Sequence, residues 1–469
     1  MHYLWVGIEK FGVVLLKVIG MILLARVLNP NDFGLFGMVY VITALGQVLI
    51  DSGMGGALIK KMDANEEDYV TVFTFNLLVS ILIWTILYFM SDLIALFYNE
   101  EQLTDIIPLL ATVLVIRALS IVPVTKLTKS LNFKKQSKIV LSSYFISLLV
   151  GYYLAINEFG VYSLIFMSIC EVSIFFVFIM HASKYKLKVG FNLNSFRDLY
   201  GFGLKLSIAS IIRTFYENVL NVFIGKLYGS VSLGFYYQAR KVNDVFIGTT
   251  TNIINKAAFP ILVNEIKRDG DVKLKMRGLI SNVCWLTFIV FVLFSVHSME
   301  VISLILGKDW LESAWILKII VLSGFGMIIE ATTRCFLKSY GFAGIILKLE
   351  IKKRLIGVFV ISLSSFFGVV GMLVAYVLTT IVSSFLNMYE VDKITEYSMR
   401  EQLLDIFKPL SFSFFVYAYC ELFKYYSSVF ELDVFIYIFG LFIPVFIYFL
   451  FFLKFNSNVR KKFMDVCNF

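Results

Sequence analysis

Arg213 and Glu217 stand four residues apart in a largely apolar stretch, with Lys205 eight residues before the arginine and Asn221 four after the glutamate. Ala209 completes the four-residue ladder, so on one continuous helix these positions share a slowly turning face. Arg213 and Glu217 can pair at that spacing, whereas Lys205 finds no counter-charge in the ladder, and Arg240 and Lys241 on the next apolar span repeat its sign. Glu330 and Arg334 repeat the spacing further on. Lys17 and Arg117 add cations near the start of the chain, with Glu9, Asp51 and Glu171 as candidate counter-charges. A charge near the middle of a bilayer costs about 2.5 to 3.5 kcal/mol, so three on a lipid-facing helix would cost about 8 to 10 kcal/mol, and the ladder is expected to face a wet interior.

Guanidinium and ammonium groups in such a place suit an anion with concentrated charge and many acceptor oxygens, as a diphosphate has. Lys17, Arg117, Lys205, Arg213, Arg240 and Arg334 are therefore the expected lining of a cationic cavity. Glu9, Asp51, Glu171, Glu217, Asn221 and Glu330 are the expected supporting or ion-coupling groups, with a proton or a sodium ion as the candidate for coupling. A buried pair that only fixes helix packing competes for Arg213 with Glu217 and for Glu330 with Arg334. Helix pairing competes likewise for Glu9, Asp51 and Glu171. Tyr216, Tyr236 and Tyr237, close to the ladder, either stack on a ligand or pack between helices.

The elements that must carry these residues are membrane helices. Fourteen apolar stretches of roughly twenty residues, the length that crosses a bilayer, fill the chain between Val6 and Leu453, and 59% of its 469 residues are hydrophobic. The polar connections are too short for a soluble domain, so the expected fold is an all-α membrane protein with 14 transmembrane helices. The first span begins directly after Trp5, with no basic start or cleavage site of a removable signal peptide. Lys and Arg crowd alternate connections, for example Lys126 to Lys138, Lys184 to Lys188, Lys256 to Arg277 and Lys348 to Arg354, while the others hold only Arg26, Lys226, Lys308 and Lys424. That bias puts the rich side, and both termini, in the cytoplasm. The net charge of +9 lies in these short turns, where it meets lipid head groups and not nucleic acid. Trp310 and Trp315 suit an interfacial belt at an outer end. The five cysteines are scattered without paired spacing, which argues against disulfides and a metal cluster. Walker-type loops, HExxH and GxSxG are absent, so the residues suggest neither covalent chemistry nor a cofactor.

A gapless offset of 200 lays Ala25 to Phe36 over Gly225 to Tyr236, matching Arg26 with Lys226 and Gly34 with Gly234. In each copy a helix ends in a cation, a short turn follows, and a glycine opens the next helix. Six helices precede the second copy, which implies a parallel repeat of two six-helix lobes. The expected organisation is an N-terminal lobe over residues 1–190, a C-terminal lobe over 191–395, and an added helix pair over 396–469.

Leu24-Ala25-Arg26-Val27-Leu28-Asn29-Pro30-Asn31-Asp32-Phe33-Gly34-Leu35-Phe36 resembles the LAR-x-L-x-P-x-D-F-G signature of polysaccharide-unit exporters in the MOP (MATE-like) superfamily. Further blocks resemble the colanic-acid-exporter branch: Ser52 to Ile59, Ile94 to Tyr98, Leu131 to Lys134, Gly225 to Gly229, Leu233 to Tyr236, Phe259-Pro260 and Leu306 to Trp310. Together they cover most of residues 20–325; Tyr228 and Ser230 to Ser232 depart from the Ala-rich turn usual there. The resemblance implies a flippase that moves undecaprenyl-pyrophosphate-linked oligosaccharide across the bacterial inner membrane for O-antigen, capsule or exopolysaccharide synthesis, without hydrolysing ATP. Its partners would be that lipid-linked oligosaccharide, membrane lipids, and the polysaccharide polymerase and chain-length machinery. Two alternatives compete: a MATE-type cation-coupled multidrug exporter, which needs an acidic site, and a membrane polymerase or ligase of the same pathway, which needs a long external loop.

Overall fold

The computed structural model describes residues 2–51, 54–61, 63–254, 258–268, 270–429 and 434–455. Ser52, Gly53, Lys256 and Cys467 lie outside the described residues, as does the side chain of Lys205. Among the described residues all regular structure is helical and no strand occurs. Nine helical segments of these residues are long and apolar enough to cross a membrane. Helices satisfy their own backbone hydrogen bonds, which is what a segment without access to water requires.

The chain forms two compact units, one of Met1–Gln238 with Ile305–Trp310, the other of Ala239–Leu304 with Leu311–Phe469. The first contains α1 (His2–Ala25), α2 (Pro30–Asp51), α3 (Met54–Lys60), α4 (Glu66–Tyr98), α5 (Leu103–Lys129), α6 (Phe133–Ile156), α7 (Val161–Ser183), α8 (Leu193–Glu217) and the first part of α9 (Val219–Ile253). Matching Asn-x-x-Asp boxes start α2 and α4. Asn29 and Asp68's partner Asn65 each receive a backbone N–H three residues on, at 3.0 and 2.9 Å, while the Asp32 and Asp68 carboxylates accept the asparagine N–H groups at 3.1 Å.

The two copies of the sequence repeat meet inside this first unit. A Cβ on Gly34 would fall 1.8 Å from the Ser230 carbonyl oxygen, and a Cβ on Gly234 would fall 1.8 Å from the Pro30 carbonyl oxygen. Pro30 and Ser230 hold equivalent positions in the repeat, as do Gly34 and Gly234, so α2 and α9 cross through a reciprocal, two-fold-like backbone contact that only glycine permits. The Ser230 hydroxyl donates to the Asn31 side-chain oxygen beside it. Gly229, at φ 80°, breaks α9 just before Ser230, in the left-handed region that a side chain would disfavour.

The second unit holds the remainder of α9, then α10 (Phe259–Lys267), α11 (Val272–Val296), α12 (Ser298–Ile305), α13 (Glu312–Ile320), α14 (Ser323–Ser339), α15 (Ala343–Ser364), α16 (Gly368–Ile394), α17 (Met399–Val429) and α18 (Val434–Phe455). The last two helices are tied to α11. Arg277 grips Asp405 of α17 with two hydrogen bonds at 2.8 and 3.0 Å. Tyr448 of α18 donates to the Trp285 carbonyl at 2.9 Å and accepts from Ser413 of α17 at 3.1 Å.

Gly34→Ala and Gly234→Ala should each lower the thermal unfolding midpoint of the full-length protein in detergent, at an overpacking cost of about 1 to 3 kcal/mol. The double variant should cost less than the sum, because one separation of the helices relieves both clashes. Gly278→Ala, with nothing within 4 Å of the added atom, is the control. Wild-type midpoints for the first two variants, or strict additivity, would contradict the reciprocal crossing.

Candidate functional site

Asp51 at the end of α2, Arg117 in α5 and Glu171 in α7 line one cavity of about 400 Å³ in the first unit, together with Gln47, Ser120 and Ser143. The Arg117 Nε is buried without a hydrogen-bond partner among the described residues. The three charged groups come from helices far apart in sequence and meet because α5 packs against α2 and α7. A guanidinium faced by two carboxylates and several hydroxyls can hold water, exchange a proton or a small cation, or trade a carboxylate for an incoming anion.

The cavity carries one guanidinium against two carboxylates, so by itself it is not cationic. Lys17 does not join it either: it is exposed on α1 and absent from the lining. Glu9 also lies elsewhere, accepting a hydrogen bond from Ser137 of α6 at 3.0 Å, which ties α1 to α6.

The ladder from Lys205 to Asn221 is interrupted. Asn218 ends α8, with its backbone N–H donating to Thr214 at 3.2 Å and its side-chain amide donating to the same carbonyl at 2.8 Å. Asn221 therefore belongs to α9, where it is 1% exposed and donates to the Asn218 side-chain oxygen at 3.2 Å. Arg213 and Glu217 do pair, at 3.0 Å, but their side chains are 64% and 44% exposed within the chain. Lys205 lies on α8 with its side chain outside the described residues. Arg240, past the Gly229 break, has Asp244 at 3.5 Å.

The densest charge network lies in the second unit. Lys353 of α15, only 3% exposed, donates at 2.8 Å to both Glu330 of α14 and Glu350, and at 3.3 Å to the Asn387 side-chain oxygen of α16. Arg354 holds the other Glu350 oxygen at 3.0 Å. Arg334 is 3.3 Å from Glu350 but 3.9 Å from Glu330, so the pair expected from the four-residue spacing is the weakest contact in the group. Lys353, Glu350, Arg354 and Asn387 were not expected here. Hydropathy places Lys353 and Arg354 in a cytoplasmic turn, whereas α15 runs unbroken from Ala343. The available signal was the Glu350-x-x-Lys353-Arg354 spacing, which is helix pairing geometry, with no Gly or Pro between Ile345 and Ile356.

Aromatic expectations divide similarly. Tyr216, Tyr236 and Tyr237 are buried, with Tyr237 packed edge-on against Phe36 and Tyr40, so they serve packing and offer no open face to a sugar. Trp310 does not face lipid: it is buried, its indole N–H donates to the Ala25 carbonyl at 2.7 Å, and Phe33 and Phe235 meet it edge-on. An orphan carbonyl at the end of α1 is thereby satisfied. Trp315 instead donates to Glu312 at 3.0 Å.

Lys353→Ala leaves the buried Glu330 with Arg334 at 3.9 Å in place of an ammonium at 2.8 Å and should destabilise the protein by about 3 to 5 kcal/mol, read as a lower unfolding midpoint and a lower membrane level. Lys353→Met combined with Glu330→Gln should recover most of that loss. An unchanged midpoint for Lys353→Ala would remove the network from the stability of this unit.

Known proteins place this architecture. The structure superposes on the lipid II flippase MurJ in an inward closed conformation with a TM-score of 0.78, at 15% identity over 97% of this chain and 99% of that one. An inward-facing multidrug resistance MATE family transporter of the MOP superfamily follows at 0.57, with 13% identity over 87% of this chain and 99% of that one. The fold is thus that of multi-pass membrane transporters. In sequence the chain is 24% identical to the teichuronic acid biosynthesis protein TuaB of Bacillus subtilis, covering 73% of each. It is 21% identical to the lipopolysaccharide biosynthesis protein WzxC of Escherichia coli, over 87% of this chain and 84% of that one. The profile of the family described as polysaccharide biosynthesis protein matches residues 23–315, and the chain belongs to that family.

Proposed function

We propose that this protein carries an undecaprenyl-pyrophosphate-linked oligosaccharide from the inner to the outer leaflet of the bacterial inner membrane by alternating access, for surface polysaccharide assembly. The observation that carries this reading is a cavity of charged side chains inside membrane-spanning helices, in a chain whose family serves polysaccharide biosynthesis. The chain crosses the membrane fourteen times with both termini cytoplasmic; residues 1–190 and 191–395 are the two lobes and 396–469 the added pair. Arg117, Arg213, Arg240 and Arg334, with Lys17 and Lys205, meet the diphosphate as it passes. Asp51 and Glu171 take back Arg117 when the substrate leaves, and exchange a proton or a sodium ion in the same step. Moving negative charge outward across an inside-negative membrane is favourable by about 2.3 kcal/mol per charge per 100 mV, so the potential assists. No bond is made or broken, and the polymerase and chain-length machinery act on the delivered lipid.

A second reading rests on one specific observation. Two carboxylates outnumber the guanidinium in the first-unit cavity, an arrangement suited to exporting organic cations. Proteoliposomes loaded with fluorescent undecaprenyl-pyrophosphate oligosaccharide separate the two. Leaflet exchange is expected, and Arg117→Ala, Arg213→Ala and Arg334→Ala should each slow it by about tenfold or more at normal protein level. Efflux of cationic dyes without lipid exchange would establish the exporter instead.

The orientation rule places the α2–α9 crossing at the outer face, where it has to part for the head group to leave. Asn31→Cys with Ser230→Cys, whose native side chains are hydrogen-bonded, should form a disulfide that arrests transport until a reductant is added. Transport unaffected by a completed cross-link would show that the exit lies elsewhere.

A further inference from the structure

The segment that joins α7 to α8 is held as a strap. Gly190 and Asn192 donate their backbone N–H groups to the Thr74 and Thr71 hydroxyls of α4 at 3.0 and 3.1 Å, and the Asn192 side chain donates to Glu67 at 2.8 Å. Tyr185, 6% exposed, plugs the strap into the core beside Phe73. Lys126 of α5 lies between the Tyr69 and Tyr185 rings, 4.6 and 4.8 Å from their centres, and is paired with Glu66 at 2.6 Å.

This anchoring leaves a pocket of about 200 Å³ lined by Lys126, Lys184, Lys186 and Lys188 with Glu66, Ser183 and Tyr185. Four ammonium groups face one carboxylate, and that carboxylate is already bound to Lys126. Lys184, Lys186 and Lys188 are all exposed, with Lys184 the left-handed cap of α7. The Tyr185 hydroxyl is buried and has no hydrogen-bond partner among the described residues. Burial, and then the nearby Glu66, push its ionisation up to about 12, so it remains a donor at neutral pH. The alternate positions Leu187, Val189, Phe191 and Leu193 are exposed and apolar. The pocket lies where α4 begins and α5 and α7 end, the level at which membrane spans meet head groups.

We propose that the strap Lys184–Asn192 and the adjoining ends of α4, α5 and α7 form a binding site for the phosphate of an anionic glycerophospholipid, with Leu187, Val189 and Phe191 dipping among its acyl chains. A soluble phosphate would use the same ammonium groups but would leave the apolar residues in water. The lipid holds the connection between α7 and α8 against the membrane surface.

The purified full-length protein, titrated with phosphatidylglycerol or phosphatidylcholine and read by native mass spectrometry, tests this. The wild type should retain phosphatidylglycerol over phosphatidylcholine by about tenfold or more, and Lys184→Gln/Lys186→Gln/Lys188→Gln should lose that preference. Lys134→Gln/Lys135→Gln/Lys138→Gln removes equal charge from α6, outside the pocket, and should keep it. Tyr185→Phe, which retains the ring against Lys126, should weaken phosphatidylglycerol several-fold. Equal losses in the two triple variants, no loss in either, or full retention by Tyr185→Phe would overturn the site. Displacement of phosphatidylglycerol by millimolar inorganic pyrophosphate would assign it to a soluble anion and overturn the lipid.

Discussion

A charge carried into a bundle of lipid-embedded helices has to be answered there by an opposite charge or by water. The two units use different answers. In the second, Lys353 sits almost dry between Glu330, Glu350 and Asn387, so three helices are fastened at one ammonium group. In the first, Arg117, Asp51 and Glu171 share an open cavity and the Arg117 Nε keeps no bond. Dry, paired charges resist change because separating them exposes both partners to a poor medium. Wet ones can exchange partners without disturbing packing. The first-unit cavity therefore leaves its charged groups room to exchange partners, while the interior of the second-unit network is a brace.

The crossing of α2 and α9 obeys a different constraint, steric and not electrostatic. With backbone carbonyls occupying the space of a Cβ, the helices approach as closely as two chains can. Leu233 and Tyr237 of α9 pack on the Gly37 side of α2, and polar links such as Ser230 to Asn31 lie beside the crossing itself. The capping box at Asn29 and Asp32 fixes where α2 begins, and hence where Gly34 falls on the helix. A shift of one residue would turn a bulky neighbour, Phe33 or Leu35, into the crossing.

The helical class and the two matched glycine turns were legible because each depends on residues near one another in sequence: apolar length, and glycine at corresponding places under an offset of 200. Side-chain partners were less so. The Glu330–Arg334 spacing was visible, but the true partner of each lies on α15, and spacing along one helix says nothing about a neighbouring helix. Lys353 looked like a cytoplasmic marker because a hydropathy window counts charge and cannot see that two glutamates surround it. Asn221 fell off the Arg213 ladder because a single asparagine, Asn218, ends α8 by bonding back to Thr214. Trp310 was placed at the lipid surface by its type, yet the carbonyl it caps is 285 residues away in sequence.

The exposed edge of the second-unit network holds one further consequence. Three cations, Arg334, Lys353 and Arg354, meet two carboxylates, Glu330 and Glu350, so one positive charge is left over. It is best assigned to Arg334, which has the longest contacts and the largest exposure of the three. If Arg334 swings away, Glu350 keeps Lys353 and Arg354, and Glu330 keeps Lys353, so neither carboxylate is stranded. The same movement by Lys353 would leave the buried Glu330 with Arg334 alone, at 3.9 Å. Arg334 is thus the member of the network that can leave it at the smallest cost, and Lys353 is the residue that keeps Glu330 answered when it does.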